Sequence, residues 1–296
     1  MHTRIKLLSH ANLQRIHDRS LHLLSHTGIR VDSAKGRTLL EQAGALSQKG
    51  TSVIRLPQDL VEKAIQSTPR EFVLGGRRKG WSFAVNRGNN TLCLDGEGTL
   101  VIDRDTTEVR PATRKDWLEI TRIADFTEEV GVYWRMITPQ DLGDSMANFV
   151  GGMRDVFQNF TKHVMDPFMD PRQAPWLLEI LQAVFGDRET IQRDHPYSTL
   201  LCPQSPLIIS EEYTDAYFEL KGWDIPVAVM PMALMGATAP ASMLATLIQV
   251  NCEVLATLCL IQANEPGVPF IYAPALTLMD PKTGRYFSGG AENAIM

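Results

Sequence analysis

Six short segments hold the side chains that could do chemistry. They are Asp95-Gly96-Glu97-Gly98, Thr138-Pro139-Gln140-Asp141, Asp166-Pro167-Phe168, Cys202-Pro203-Gln204-Ser205-Pro206, the run 231–240, and Tyr272-Ala273-Pro274-Ala275. Asp95 and Glu97 are paired carboxylates on a glycine-flanked turn. They would neutralise a cationic substrate or serve in proton transfer. The same four residues also suit a plain hairpin turn between extended runs at 91–94 and 99–102. Gly236, Ala237 and Thr238 stand before Pro240 and a long apolar run. Small residues at a helix start leave the first N–H groups open to an anion such as a carboxylate; tight loop packing explains them equally well. Tyr133, Trp134, Phe168, Tyr272 and Tyr286 are aromatic. Their ring faces attract quaternary ammonium groups, although most aromatics in a large domain are core.

Other chemistries lack their signatures. His10, His17, His22 and His26 put several imidazoles on one face of a first helix, without cysteine or carboxylate partners at ligand spacing. A solvated helix face is expected there. His163 and His195 are isolated in sequence. No HExxH, GxSxG or P-loop pattern occurs, so zinc activation and a serine nucleophile have no support.

The elements that must position these segments follow from periodicity. Leu13, Ile16, Leu21, Leu23 and Leu24 fit an amphipathic helix ending near Gly28. Leu39, Leu40 and Ala43 continue a helical pattern to Gly44, and 53–56 reads as a short strand. Pro57 opens a helix with Leu60, Val61, Ala64 and Ile65 on one face, and 72–74 is extended. From about residue 90, extended runs at 91–94, 130–137, 162–165, 199–202, 227–230 and 269–272 alternate with helical patterns at 114–124, 145–159, 172–185, 211–221 and 241–263. Such alternation, at roughly 35 residues per unit, implies parallel βαβ units. The expected fold class is α/β. One form is an open doubly wound sheet, but no GxGxxG follows the first strand. The other is a TIM (β/α)8-type barrel truncated after about six strands. On that reading residues 1–88 are a helical elaboration with short strands, and 89–296 an incomplete barrel. In a barrel the six segments above fall at the C-terminal strand ends, where function sits.

The helix after Pro240 is apolar around most of its circumference, through Leu244, Leu247, Ile248, Val254, Leu258 and Ile261. It is expected to be buried on several sides, against the N-terminal helices or another subunit. Residues 225–252 carry no charge, but Pro226, Pro231, Gly236 and Pro240 break the first half of that stretch. A buried strand, loop and helix fit better than a membrane span. Hydrophobic residues at 44% and charged residues at 21% are ordinary for a globular chain. A net charge of −5 without long single-sign runs argues against nucleic acid or anionic membrane as partner. Cys93, Cys202, Cys252 and Cys259 are far apart, as expected of reduced thiols in a cytoplasmic protein.

Several ordered segments resemble the trimethylamine methyltransferase family. They are Ile16-His17-Asp18-Arg19 through Thr27-Gly28-Ile29-Arg30-Val31, and Ile54-Arg55-Leu56-Pro57 with Thr68-Pro69-Arg70-Glu71-Phe72. The run 232–240 leading into Gln249-Val250-Asn251-Cys252-Glu253, and Met279-Asp280-Pro281-Lys282-Thr283-Gly284, are similar too. The resemblance implies a TIM barrel that moves a methyl group from a methylated amine to the Co(I) form of a corrinoid. That cofactor is carried by a separate cognate corrinoid protein rather than bound directly. It implies one-carbon metabolism of the kind used in methanogenesis, with trimethylamine or a quaternary amine such as glycine betaine as donor. Trimethylamine-specific members carry pyrrolysine, at a position beyond residue 296. Within that frame Glu97, Trp134, Gln204 and Tyr272 are assigned near the amine, and the backbone of Gly236, Ala237 and Thr238 toward a substrate carboxylate. No metal-ligand set is assigned, and a homo-oligomer is compatible. A chain ending at residue 296 is expected to leave the barrel two strands short and to be poorly soluble or inactive alone. A truncated fragment or a non-catalytic amine-binding module is the alternative.

Overall fold

Ser9 starts the first helix by accepting the Asn12 N–H at 3.2 Å, and α1 runs His10–His26. Gly28 ends it with φ +80°, donating its N–H to the Leu23 carbonyl at 2.9 Å. A Cβ at Gly28 would lie 2.5 Å from the Ile54 carbonyl oxygen, so only glycine fits. The structure is a computed structural model that describes residues 7–295 apart from 87, 95, 144 and 168. The expectations placed on Asp95 and Phe168 therefore lie outside the described residues.

After α1 come β1 (Ile29–Val31), α2 (Ala34–Gln42), β2 (Leu46–Ser47), β3 (Val53–Arg55) and α3 (Gln58–Ser67). β3 pairs antiparallel with both β1 and β2. β4 (Phe72–Gly75) and β5 (Ser82–Val85) form an antiparallel pair, followed by β6 (Leu92–Cys93). β7 (Leu100–Ile102) and β8 (Val109–Pro111) form a second ribbon. Then come α4 (Arg114–Phe126), β9 (Val130–Tyr133), α5 (Met146–Asn159), β10 (His163–Met165), α6 (Ala174–Phe185), α7 (Arg188–Asp194) and β11 (Tyr197–Leu201). The chain continues through β12 (Ile208–Ile209), α8 (Glu211–Phe218), β13 (Val227–Val229), β14 (Leu234–Met235) and α9 (Met243–Asn264). It closes with β15 (Phe270–Tyr272), β16 (Thr277–Met279), β17 (Tyr286–Phe287) and α10 (Ala291–Ile295).

Two compact units share these elements. One holds the described residues up to Thr68, Leu201–Phe218 and everything from Ala228 onward; the other holds Pro69–Leu200 and Glu219–Val227. The main sheet has the order β15-β13-β11-β10-β9-β6. Its pairings β6–β9, β9–β10 and β10–β11 are parallel. The order follows the chain without reversal. A doubly wound sheet would reverse at a switch point, whereas a β/α barrel steps in one direction. The six extended runs read from sequence are these six strands. β9, β10 and β11 are buried along their whole length, as parallel strands covered on both faces must be.

α9 is the centre of the first unit. Residues from Val250 to Ile261 are buried almost without interruption, Asn251 excepted, and the helix packs against α1, α2 and α3. By composition α9 is long and apolar enough to cross a membrane, but 67% of its apolar window is buried inside the chain. The expected packing against the N-terminal helices is present.

Three expectations need correcting. Residues 99–102 do not pair with 91–94 across a hairpin: β7 pairs with β8, and β6 pairs with β9. Local turn chemistry suggested a hairpin, but the parallel partner has the stronger claim on β6. The helix read from 241 starts at Met243, with Ser242 at its cap, so the N–H groups of the small residues 236–239 are not those of its first turn. The extended run at 130–137 is a regular strand only to Tyr133. The two isolated histidines also gain a role. His163 bonds through Nδ1 to the Gly75 carbonyl at 3.1 Å, and His195 through Nδ1 to the Val73 carbonyl at 3.0 Å. Both thus fasten β4 to the ends of β10 and β11.

Candidate functional site

Glu97 and Trp134 come together in the second unit. Past their strand ends, β6 and β9 continue side by side: Glu97 N–H donates to the Arg135 carbonyl at 3.0 Å and Gly98 N–H to that of Met136 at 2.9 Å. Gly96 permits this approach, because a Cβ there would sit 2.6 Å from the Met136 oxygen. Glu97 itself has φ 63°, a left-handed conformation that costs a non-glycine residue about a kilocalorie or more. Its carboxylate accepts the Trp134 indole N–H at 3.3 Å. An exposed carboxylate thus stands at the edge of an indole ring, an arrangement suited to a cation.

Behind this pair lies a charged group the sequence reading did not single out. Arg135 donates to Asp166 at 3.0 Å and lies over the Trp117 ring, 5.5 Å from its centroid. The Asp166 side chain is only 3% exposed. Burial pushes its carboxyl up, and the Arg135 guanidinium opposes that rise. Tyr197 donates its hydroxyl to the Asp166 carbonyl, and Trp117 donates to the Tyr133 hydroxyl at 2.7 Å. Tyr133 is therefore core, with 1% exposure. Among the described residues the buried Nε–H of Arg135 has no hydrogen-bond partner. Arg135 lines a cavity of about 400 Å³ together with Trp117, Thr138, Ser145, Asn148 and Gln173. Asp166 stood in one of the strand-end segments; Arg135 carried no signal beyond following Trp134.

The remaining candidates lie in the first unit. Gln204 is exposed on a turn closed by two backbone bonds with Ile208, at 2.8 and 2.9 Å. Gly236 N–H donates to the Ala239 carbonyl at 3.0 Å and Ala237 N–H to that of Leu234 at 2.9 Å. Thr238 accepts the Leu234 N–H on its hydroxyl at 2.9 Å. The expected anion cradle is thus corrected: the Gly236 and Ala237 donors close their own turn, and no helix begins there. Tyr272 is half exposed, with its hydroxyl 3.4 Å from Asn251 Oδ1. Tyr286 lies exposed on β17. The Gln204 and Thr238 turns are linked through two residues of α9, Gln249 and Glu253. A carboxylate placed mid-helix in an apolar run was the available signal for Glu253. Among the described residues no group of three or more histidine, cysteine or acidic side chains could hold a metal ion.

A sequence model described as "Trimethylamine methyltransferase (MTTB)" matches residues 1–296. The chain is 33% identical over 274 residues to the trimethylamine methyltransferase MttB of Desulfitobacterium hafniense, covering 93% of this chain and 55% of that protein. It is 29% identical over 299 residues to the protein of that name in Methanosarcina barkeri, covering 99% of this chain and 60% of that one. A glycine betaine methyltransferase from D. hafniense is 25% identical over 290 residues, at 98% and 60% coverage. Among solved structures, the M. barkeri monomethylamine methyltransferase (MtmB) aligns with a TM-score of 0.50 at 12% identity, covering 90% of this chain and 64% of that one. That likeness concerns the fold alone. The chain spans a little over half the length of the relatives it matches. With a parallel sheet in unreversed order and a family match along its whole length, this chain belongs to the trimethylamine methyltransferase family.

Proposed function

We propose that the protein moves a methyl group from a methylated amine to a corrinoid carried by a separate protein, on a β/α-barrel scaffold. The observation that carries this reading is the Glu97 carboxylate held against the Trp134 indole past the ends of two adjacent parallel strands. A carboxylate beside an aromatic ring attracts a methylated ammonium group electrostatically. When bound, the reduced corrinoid supplies the nucleophile for an in-line displacement at the methyl carbon. The work left to this chain is to bind the amine, orient its C–N bond and exclude water. A quaternary amine departs as a neutral amine, so for such a donor no general acid is required of these residues. Among the described residues the buried Nε–H of Arg135 lacks a partner, and a substrate carboxylate would satisfy it. That favours a betaine-type donor over trimethylamine for this corner.

The test uses the full-length protein with its corrinoid protein reduced to Co(I), monitored by the absorbance change on methylation. Trimethylamine, glycine betaine and further betaines form the panel. Turnover with a member of the panel is expected, and Glu97→Gln should lower kcat/KM at least tenfold. No turnover with any member would sink the reading. Turnover unaffected by Glu97→Gln would move the pocket elsewhere.

A further inference from the structure

Glu253 is a fully buried carboxylate in the middle of α9, a long and apolar helix. Among the described residues no lysine, arginine or histidine forms an ion pair with it. A buried, uncompensated carboxylate is costly and persists only with well-placed donors. Its donors come from two directions. Oε2 accepts the Ser205 hydroxyl at 2.8 Å, and Oε1 accepts the Leu207 N–H at 2.9 Å. Oε1 also accepts the Gln249 amide at 3.0 Å, and the same Gln249 Nε2 donates to the Thr238 carbonyl at 3.0 Å.

One carboxylate therefore reaches two loops. The first follows β11 and carries Gln204. Leu207 in it has φ 57°, a left-handed conformation that a branched side chain does not adopt without support. The Glu253 oxygen on the Leu207 N–H provides that support, and Gln204 and Ile208 close the turn around it. The second loop follows β13 and carries Gly236–Thr238; β16 pairs with it at Leu234 and Met235, and Gln249 holds its Thr238 carbonyl. A hydrophobic residue at 253 would fill the space but leave the Leu207 N–H and the Ser205 hydroxyl unpaired.

We infer that Glu253 is a positioning residue: through Ser205, Leu207 and Gln249 it holds the Gln204 loop and the Thr238 loop in one frame. It touches no substrate; its effect on turnover passes through Gln204, assigned near the amine from its strand-end place. The inference rests on the methyl-transfer reading for its effect on turnover, but its effect on the loops is measurable without that reading.

The experiment compares full-length wild type with Glu253→Leu, Glu253→Gln, Ser205→Ala and Leu260→Ala. Amide exchange by mass spectrometry reads residues 203–208 and 234–240, and steady-state kinetics reads KM and kcat for the amine. In Glu253→Leu, exchange in both loops should rise at least tenfold, with KM up at least tenfold and kcat changed less than threefold. Glu253→Gln, which retains one oxygen acceptor, should recover part of both effects. Ser205→Ala should loosen the first loop and leave the second at the wild-type rate. Leu260→Ala opens a cavity in the same helix and should lower stability without raising KM. Should Glu253→Leu fail to fold, Glu253→Gln and Ser205→Ala decide the matter. Wild-type exchange in both loops of the 253 variants, or an unchanged KM, would overturn the inference. So would an equal KM rise in Leu260→Ala, since the effect would then be general loosening. A wild type without turnover would sink the proposed function, and exchange would still judge the loops.

Discussion

Asp116 shows how much a single side chain holds here. Its carboxylate accepts the Thr113 N–H at 2.9 Å while Thr113 caps the same helix, and Arg110 donates to both its oxygens at 2.7 and 2.8 Å. Hydrogen bonds from Arg110 hold its carboxyl well below the usual range. A depressed carboxylate contributes stability that is present above its unfolded value, about pH 3.9, and lost as pH falls through the folded value. Asp116→Asn should cost about 1 kcal/mol at pH 7: the amide oxygen can keep the Thr113 N–H, but the charged bonds from Arg110 to both oxygens are lost. In urea titrations the gap between variant and wild type should shrink below about pH 4; a gap constant down to pH 2 would contradict this. At the same scale Glu97 and Trp134 were found from their place at strand ends, which depends on local pattern. Arg135, Gln249 and Glu253 were not, because their meaning lies in partners 31 residues away for Asp166, 11 for Thr238 and 46 to 48 for Leu207 and Ser205.

At the scale of elements, α9 decides the stability of the first unit. Leu260 and Ile261 are fully buried, whereas Leu244 near its start is 46% exposed. Leu260→Ala should destabilise by about 2–5 kcal/mol and Leu244→Ala by well under 1. Chemical denaturation of the two variants checks this; equal effects would mean that the helix is not anchored by its C-terminal half. Long elements were readable because a helical period repeats over many residues. The short ones were not. β12 is two residues long and exists because β1 lies parallel to it. β14, β16 and β17 form a small sheet of their own. Two or three residues carry no period, so only a distant partner identifies them as strand. The supposed hairpin at 95–98 failed for the same reason: its turn residues were right for a bend, but β6 finds its partner in β9.

At the scale of the whole molecule, His163 sets a pH limit. It is buried between the Gly75 carbonyl and the Ser198 hydroxyl at 2.8 Å, and burial pushes its pKa down to about 4. The Gly75 oxygen can only accept, so Nδ1 carries the proton and Nε2 accepts from Ser198. Unfolding returns the imidazole to about 6.5. Between those values the unfolded chain binds the extra proton, so stability is complete above pH 6.5 and declines toward pH 4. The loss amounts to roughly 3 kcal/mol by pH 4. Thermal midpoints from pH 7 to 4 should fall more steeply for wild type than for His163→Gln; parallel slopes would show that the imidazole titrates normally.

The amino-acid sequence by itself determined the α/β class, the six strands of the main sheet, the burial of α9 and the family. These are properties of period, composition and ordered local segments. Tertiary structure alone decided the order of those strands and the lock of β4 by two histidines. It also decided that the Gly236 and Ala237 donors close on themselves while a buried carboxylate joins two loops. Of the strand-end residues first singled out, Glu97 meets Trp134 in one unit, and Gln204, Thr238 and Tyr272 lie in the other. The physical reason is that hydrogen bonds and burial depend on groups far apart in the chain, whose proximity no local pattern encodes.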